Sequence, residues 1–319
     1  IDSMFFAMWV DADLGCSDDD YIGCDTAKSL MYIYNLDAVD GQPGATCAGG
    51  VPTYGSKIPL LGVDYFRGPK GVRSIPDINT ADPDDFIDEE FELGMNSFMY
   101  YNRTGTGPAG QSDPSAPNEY YNYITGTWRD GTPLTYGASG YNPGNPNAVR
   151  VRYCFTEPPN DPVGWSMCSA NLPLADRRTL QASGPFTLKP GAVNELIIGV
   201  PWVPDIEYPC PDMENLFRAD KLAQGLFDNC FLLLDGPDAP TADWIELNKE
   251  VVVVLTNQPF PESNNFNKEN EDYQELDFLA PDKFTKSGRP DSVDLARYKF
   301  EGYLIYQLVN ENVSGKDYS

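Results

Sequence analysis

Glycine and proline punctuate this chain from end to end, 28 of each in 319 residues, and that density forbids long regular elements. Proline removes a backbone donor and glycine loosens the chain, so the apolar runs between them are left strand-sized. The texture predicts a mainly β protein with long loops. Strands are expected at residues 5–10 (FFAMWV), 28–34 (KSLMYIY), 61–66, 98–102, 149–155 and 193–200, the last following a Pro190-Gly191 turn. No run reaches eighteen apolar residues, so direct membrane insertion by a helix is not expected.

One segment departs from this texture. Between residues 212 and 233, Leu216, Phe217, Leu222, Leu226, Phe227, Cys230 and Phe231 cluster on one helical face. Asp212 can cap its start, and Gly236-Pro237 follows its end. After DGPDAP (235–240) come ADWIEL, KEVVVVLTN and YKFEGYLIYQL. The sequence therefore predicts a large, jelly-roll-like β-sandwich domain over residues 1–234 with one amphipathic helix. A second module follows over 241–319. Its short strands and Gly-Tyr-x-Ile-Tyr pattern resemble the opening half of a fibronectin type III or immunoglobulin-like sandwich, which leaves that module partial. The start at Ile1 is read as a processed end or an internal one.

Charge narrows the partners. With 22 basic and 48 acidic residues, a net charge of −26, the surface repels phosphate backbones and anionic lipid and attracts divalent cations. Nucleic acid is not expected as a partner. The chain has no histidine, which excludes the Ser-His-Asp triad, the Cys-His pair and the HExxH zinc site. No GxSxG, P-loop or dinucleotide fingerprint is present. No catalytic residue is assigned, although a carboxylate pair able to cleave glycosidic bonds remains open.

The densest acidic stretch is DADLGCSDDDYIGCD, residues 11–25, with Asp11, Asp13, Asp18, Asp19, Asp20 and Asp25 and no basic residue. Like charges a few ångströms apart repel by about 1 kcal/mol even when well solvated. Such a loop must keep its carboxylates apart or hold a cation between them. Ca²⁺ takes six to eight oxygen ligands and fits irregular loops; the EF-hand pattern itself fails, because Ile22 stands where its final Glu belongs. NLDAVDG (35–41) adds Asn35, Asp37 and Asp40. The expected site is a structural Ca²⁺ held among Asp11, Asp13, Asp18, Asp19, Asp20, Asp25, Asp37 and Asp40. The acids of DPDDFIDEE (82–90) are read as a solvated loop.

Seven cysteines form no CxxC pair, which favours disulfides formed in an oxidising, extracellular setting. Short spacings point to Cys16 with Cys24, Cys154 with Cys168 and Cys210 with Cys230, leaving Cys47 over. Tyr120, Tyr121, Tyr123, Trp128 and Tyr136 crowd residues 118–137 and serve either as core or as a sugar-stacking platform. Asn102-Arg-Thr and Asn312-Val-Ser fit the N-glycosylation pattern, and Asp25-Thr-Ala and Asp291-Ser-Val fit a bacterial O-glycosylation pattern.

The blocks WVDADLGCSDDDYIGCDTAKSLMYIYN, LLGVDYFRGP, YYNYITGTWRDGTPLTYG, DRRTLQASGPFTLKPGAVNELIIGVPW and KLAQGLFDNCFLLLDGPDAP resemble large secreted or cell-surface proteins of Bacteroidota exported by type IX secretion. The resemblance implies a location outside the cell or on its outer surface. It also implies a role in adhesion, motility or surface assembly, with other surface proteins or glycans as partners. The leading expectation is a non-enzymatic, Ca²⁺-stabilised scaffold. A carbohydrate-binding module or carboxylate-pair glycosidase, and a substrate or accessory chain bound to secretion or motility machinery, are the alternatives.

Overall fold

The computed structural model describes residues 1–41, 47, 50, 52–76, 86–204, 206–228, 230–231, 241–256, 274–276, 297–299 and 301. The chain divides into two compact units, Ile1–Phe227 and Asp228–Ser319.

The first unit is a β-sandwich. One sheet has the order β1 (Met4–Asp11), β8 (Arg177–Phe186), β7 (Ser97–Asn102), all antiparallel. The other runs β2 (Asp20–Asp25), β3 (Leu30–Asn35), β4 (Leu60–Arg67), with β9 (Ile197–Gly199) and β10 (Trp202–Val203) both paired to β4. A hairpin of β5 (Lys70–Pro76) and β6 (Phe86–Glu92) forms a separate ladder. Among the described residues α-helices lie at α1 (Pro117–Ile124), the one-turn α2 (Met167–Ala170) and α3 (Glu214–Asp228), which ends at the boundary of the unit.

The two sheets face each other through alternate side chains. Phe6 of β1 meets Tyr65 of β4 edge-on at 6.0 Å, the Tyr65 hydroxyl donates to the Gln181 carbonyl of β8 at 2.6 Å, and Thr179 Oγ1 lies 3.3 Å from Met31 Sδ. β3 is buried along its whole length, because α3 covers its other face, where Phe217 packs edge-on against Tyr32. An aromatic core of Tyr100, Tyr123, Trp128, Tyr141 and Phe155 fills the end beneath α1.

Several expectations need correction. Residues 149–155 form isolated bridges, Arg150 to Thr135 and Tyr153 to Phe98, and no continuous strand. Residues 20–25 of the acidic stretch are strand β2; aspartates at both ends obscured the apolar Tyr21, Ile22 and Cys24 between them. The helix expected over 212–233 ends at Asp228, five residues early.

None of the three expected cysteine pairs forms. The disulfides are Cys16–Cys47 and Cys168–Cys210. Cys24 points from β2 into the core, where its thiol faces the Cys154 carbonyl at 3.5 Å, so both residues are buried thiols and Cys230 is an exposed one. Short spacing misled because β2 carries Cys24 inward, away from the loop that holds Cys16.

In the second unit, β11 (Thr241–Leu247) and β12 (Glu250–Thr256) make a hairpin across a tight turn with Lys249 at φ 69°. β13 (Gln274–Leu276) pairs β14 (Arg297–Lys299). The remaining strands expected there, and residues 82–85, Asp291 and Asn312, lie outside the described residues.

Candidate metal centre

The acidic loop closes one end of the sandwich. Asp20 opens β2 directly opposite Asn35, the last residue of β3. Both are buried, at 1% and 0% exposure. Leu14, at the top of the loop, donates its N–H to Asp20 Oδ2 at 3.0 Å. Asp19 is 8% exposed and accepts from the Gly41 N–H at 3.3 Å through Oδ2. Asp40, fully buried, accepts from the Cys16 N–H at 2.9 Å and the Tyr54 N–H at 2.5 Å.

Loop backbone packs hard against these carboxylates. Gly15 sits at φ 87°, and a Cβ there would fall 1.8 Å from Asp40 Oδ2, so only glycine fits. The Cys16–Cys47 disulfide ties the same turn. By the chain-entropy model a closure spanning 31 residues contributes about 4 kcal/mol.

Three buried side-chain oxygens in this region have no partner on the protein: Asp19 Oδ1, Asp20 Oδ1 and Asn35 Oδ1. Arg177, buried close by, donates through its Nη atoms to the carbonyls of Asp20, Ala175 and Pro173, leaves its Nε without a partner, and makes no hydrogen bond to the Asp20 carboxylate. Burial drives the Asp20 carboxyl well above the usual carboxylate range, the Leu14 N–H opposes this, and Asp19, Asp13 and Asp40 push it further up. Burial lifts Asp19 to about 6 against the Gly41 N–H, with Asp40 and Asp37 adding to the rise. Asp13 is raised by burial and by Asp11 and Asp18, with Arg178 opposing. Each of these groups gains by taking up a proton or a cation.

The structure thus brings Asp13, Asp19 and Asp40 within electrostatic reach of Asp20, with Asp13 exposed and Asp37 at the margin beside Asp19. Asp37 accepts from Val39 N–H at 3.0 Å in its own turn. Asp18 is exposed and takes part in the cluster only by its charge on Asp13. Two expected ligands are placed elsewhere. Asp11 pairs with Arg178 at 3.3 Å. Asp25 stands at the far end of β2, roughly 16 Å from Asp20 at about 3.3 Å per residue, where it accepts from the N–H groups of Ala27 and Lys28 and pairs with Lys28 Nζ.

No three carboxylate oxygens lie within 4.8 Å of one another among the described residues; the one triad that close is Cys16, Asp40 and Cys47. Its two sulfurs are bonded to each other and offer no thiolate. Aspartates here act first as acceptors for loop N–H groups, a use the acidic count concealed. The signal that could have marked Asp20 and Asn35 is their position at the mouths of two consecutive buried strands.

The aromatic and glycosylation candidates divide cleanly by position. Tyr123 and Trp128 are core. Tyr120 and Tyr121 are exposed on α1, and Tyr136 leans on Trp165 at 4.9 Å. Asn102, read as a glycosylation acceptor, is 8% exposed within β7 and cannot receive a glycan there. Comparison with protein-family models, with curated proteins and with solved structures finds no match to this chain.

Proposed function

We propose that the chain is a non-enzymatic structural or adhesion protein, exported by type IX secretion to the outer surface or beyond, whose loop cluster binds Ca²⁺. The observation that carries the metal is the set of unpartnered buried oxygens, Asp19 Oδ1, Asp20 Oδ1 and Asn35 Oδ1, beside Asp13 and Asp40. Carboxylate and amide oxygens are the ligands a hard cation takes, with water and backbone carbonyls filling the remaining positions. The ion neutralises the loop and fixes it across the ends of β2 and β3. Two disulfides are compatible with an extracellular protein, and the quoted blocks support the export route. The second unit, with its β11–β12 hairpin, fits an immunoglobulin-like module. Melting the protein in EGTA and then in excess Ca²⁺ tests the metal: a rise in Tm with Ca²⁺ that Asp20→Asn abolishes supports it, and an unchanged Tm removes it.

A second reading, glycan binding, is favoured by an aromatic surface that shares Tyr121 with the one the sequence suggested and centres on Trp9. Trp9 is half exposed on β1, and its indole N–H donates to the Tyr101 hydroxyl at 2.7 Å, which fixes the ring. Tyr121 of α1 meets Phe5 of β1 edge-on at 6.0 Å, so α1 adds an exposed ring to that surface. Two residues beyond Trp9, Asp11 pairs with Arg178, a polar grip for hydroxyls next to a stacking face. Retardation of the protein in gels containing neutral polysaccharide, lost in Trp9→Ala, tests this reading.

A further inference from the structure

Helix α3 and strand β4 are matched in register. Along β4, Gly62, Asp64 and Phe66 point to one side at about 6.6 Å intervals. Along α3, successive positions four apart rise about 6 Å. The two spacings bring Leu216 over Gly62, Asp220 against Asp64, and Gln224 and Phe227 onto Phe66. A Cβ on Gly62 would lie 3.4 Å from Leu216 Cδ1. Gln224 Nε2 donates to the Phe66 carbonyl at 3.3 Å, and the Phe227 ring stacks on Phe66 at 5.9 Å.

In the middle of this apolar seam stand two acids. Asp64 is 2% and Asp220 3% exposed. The register sets their carboxyls against each other, two acceptor groups that meet without repulsion only when one carries a proton, and each keeps an oxygen, Oδ1, with no partner. The groups facing the pair are few. Asp25 of β2 adds negative charge to both, while Lys28 of the β2–β3 turn offsets Asp220. Leu30 of β3 and Gly199 of β9 flank Asp64 and carry no charge.

Two buried carboxylates this close must share either a proton or a cation. Among the described residues a cation would find only two carboxylates here, fewer than the loop cluster offers. The Asp25 oxygens are held by Ala27, Lys28 and the Lys28 ammonium, and no third Asp, Glu or Cys ligand atom lies within 4.8 Å among the described residues.

We propose that one proton shared by Asp64 and Asp220 latches α3 onto β4, and that its loss at alkaline pH loosens the helix through which the chain passes into the second unit. Burial lifts Asp64 to about 8, with Asp220 adding to the rise, and burial lifts Asp220 to about 6. Undocking exposes both acids to solvent, where they ionise near 4. The docked state therefore holds more protons than the undocked state between about pH 4 and 8. Its advantage is complete below that window and is lost as pH rises through it.

Hydrogen exchange of the whole chain at pH 6 and pH 9, corrected for intrinsic chemistry, reads the latch directly. Protection of the α3 amides is expected to fall about 10- to 100-fold in the parent. In Asp220→Asn the amide donates to Asp64 at every pH, so its fall is expected to be under threefold. An equal fall in parent and variant, or none in the parent, overturns the proposal. Should the variant fail to fold, ¹³C NMR titration of the Asp64 and Asp220 carboxyls in the parent decides. Coupled titration of both above pH 5 supports the latch. Ordinary titration near pH 4, or displacement of both resonances by Ca²⁺ at pH 7, overturns it.

Discussion

Asp20 and Asn35 face each other across the β2–β3 ladder at the closed end of the sandwich, and each holds one buried side-chain oxygen that nothing on the protein satisfies. A buried, unsatisfied polar atom costs about 1–3 kcal/mol and more when charged. The arrangement therefore holds free energy that a ligand of the right chemistry releases.

The Ca²⁺ reading predicts a pH signature. Asp19 and Asp20 have raised carboxyls, so without metal they favour the folded state below about pH 4 and that contribution is lost as pH rises through about 6 and beyond. Ca²⁺ competes with those protons. The stabilisation by Ca²⁺ should accordingly be larger at pH 7.5 than at pH 5, reaching about 2.7 kcal/mol at a hundred times the dissociation constant. Calorimetry in EGTA and in Ca²⁺ measures it, and Asp20→Asn should shrink both the pH slope and the gain.

Gly15→Ala should destabilise the first unit. The added Cβ would overlap Asp40 Oδ2 at 1.8 Å, and the positive φ strains any L residue, together a loss of about 2–4 kcal/mol. Urea unfolding should show a lower midpoint, whereas Gly131→Ala, also at positive φ but with nothing within 4 Å of its added Cβ, should cost only about 1 kcal/mol.

Thiol labelling distinguishes the three unpaired cysteines. Cys24 and Cys154 are buried, and burial pushes both thiols well above their usual range. Native protein at pH 8 should take up one equivalent of iodoacetamide, at Cys230, and three after unfolding without reductant. Peptide mass spectrometry should recover Cys16 linked to Cys47 and Cys168 linked to Cys210; a linkage of Cys16 to Cys24 would contradict the fold.

Trp128→Ala should cost about 3–5 kcal/mol. Trp128 is fully buried, donates to the Gly140 carbonyl at 2.9 Å and meets Tyr100, Tyr123 and Tyr141 edge-on. Trp9→Ala, at an exposed ring, should leave the melting temperature within about 2 °C while testing glycan retention.

Much of the fold was legible where composition and period agree. Strands at 5–10, 28–34, 61–66 and 98–102 correspond to β1, β3, β4 and β7, and the face of Leu216, Phe217 and Phe227 placed α3. β2 escaped because its charged ends masked a buried centre. Of the candidate site, Asp19, Asp20 and Asp40 were legible by charge density alone. Asn35 as the opposite member of the Asp20 pair, and the meeting of Asp64 with Asp220 from distant parts of the chain, depend on strand register and helix docking, which no local spacing encodes. Cysteine pairing failed for the same reason: proximity along the chain says little once alternate strand residues turn to opposite faces.

β1 has β8 as its sheet neighbour, with Asp11 opposite Arg178 and Met4 opposite Phe186. At about 5–20 residues per second a ribosome needs roughly 10–35 s to deliver the second strand after the first. Through that interval the opening segment FFAMWV has no ladder to join, so the sheet closes by a pairing far apart along the chain, which costs closure entropy and slows folding.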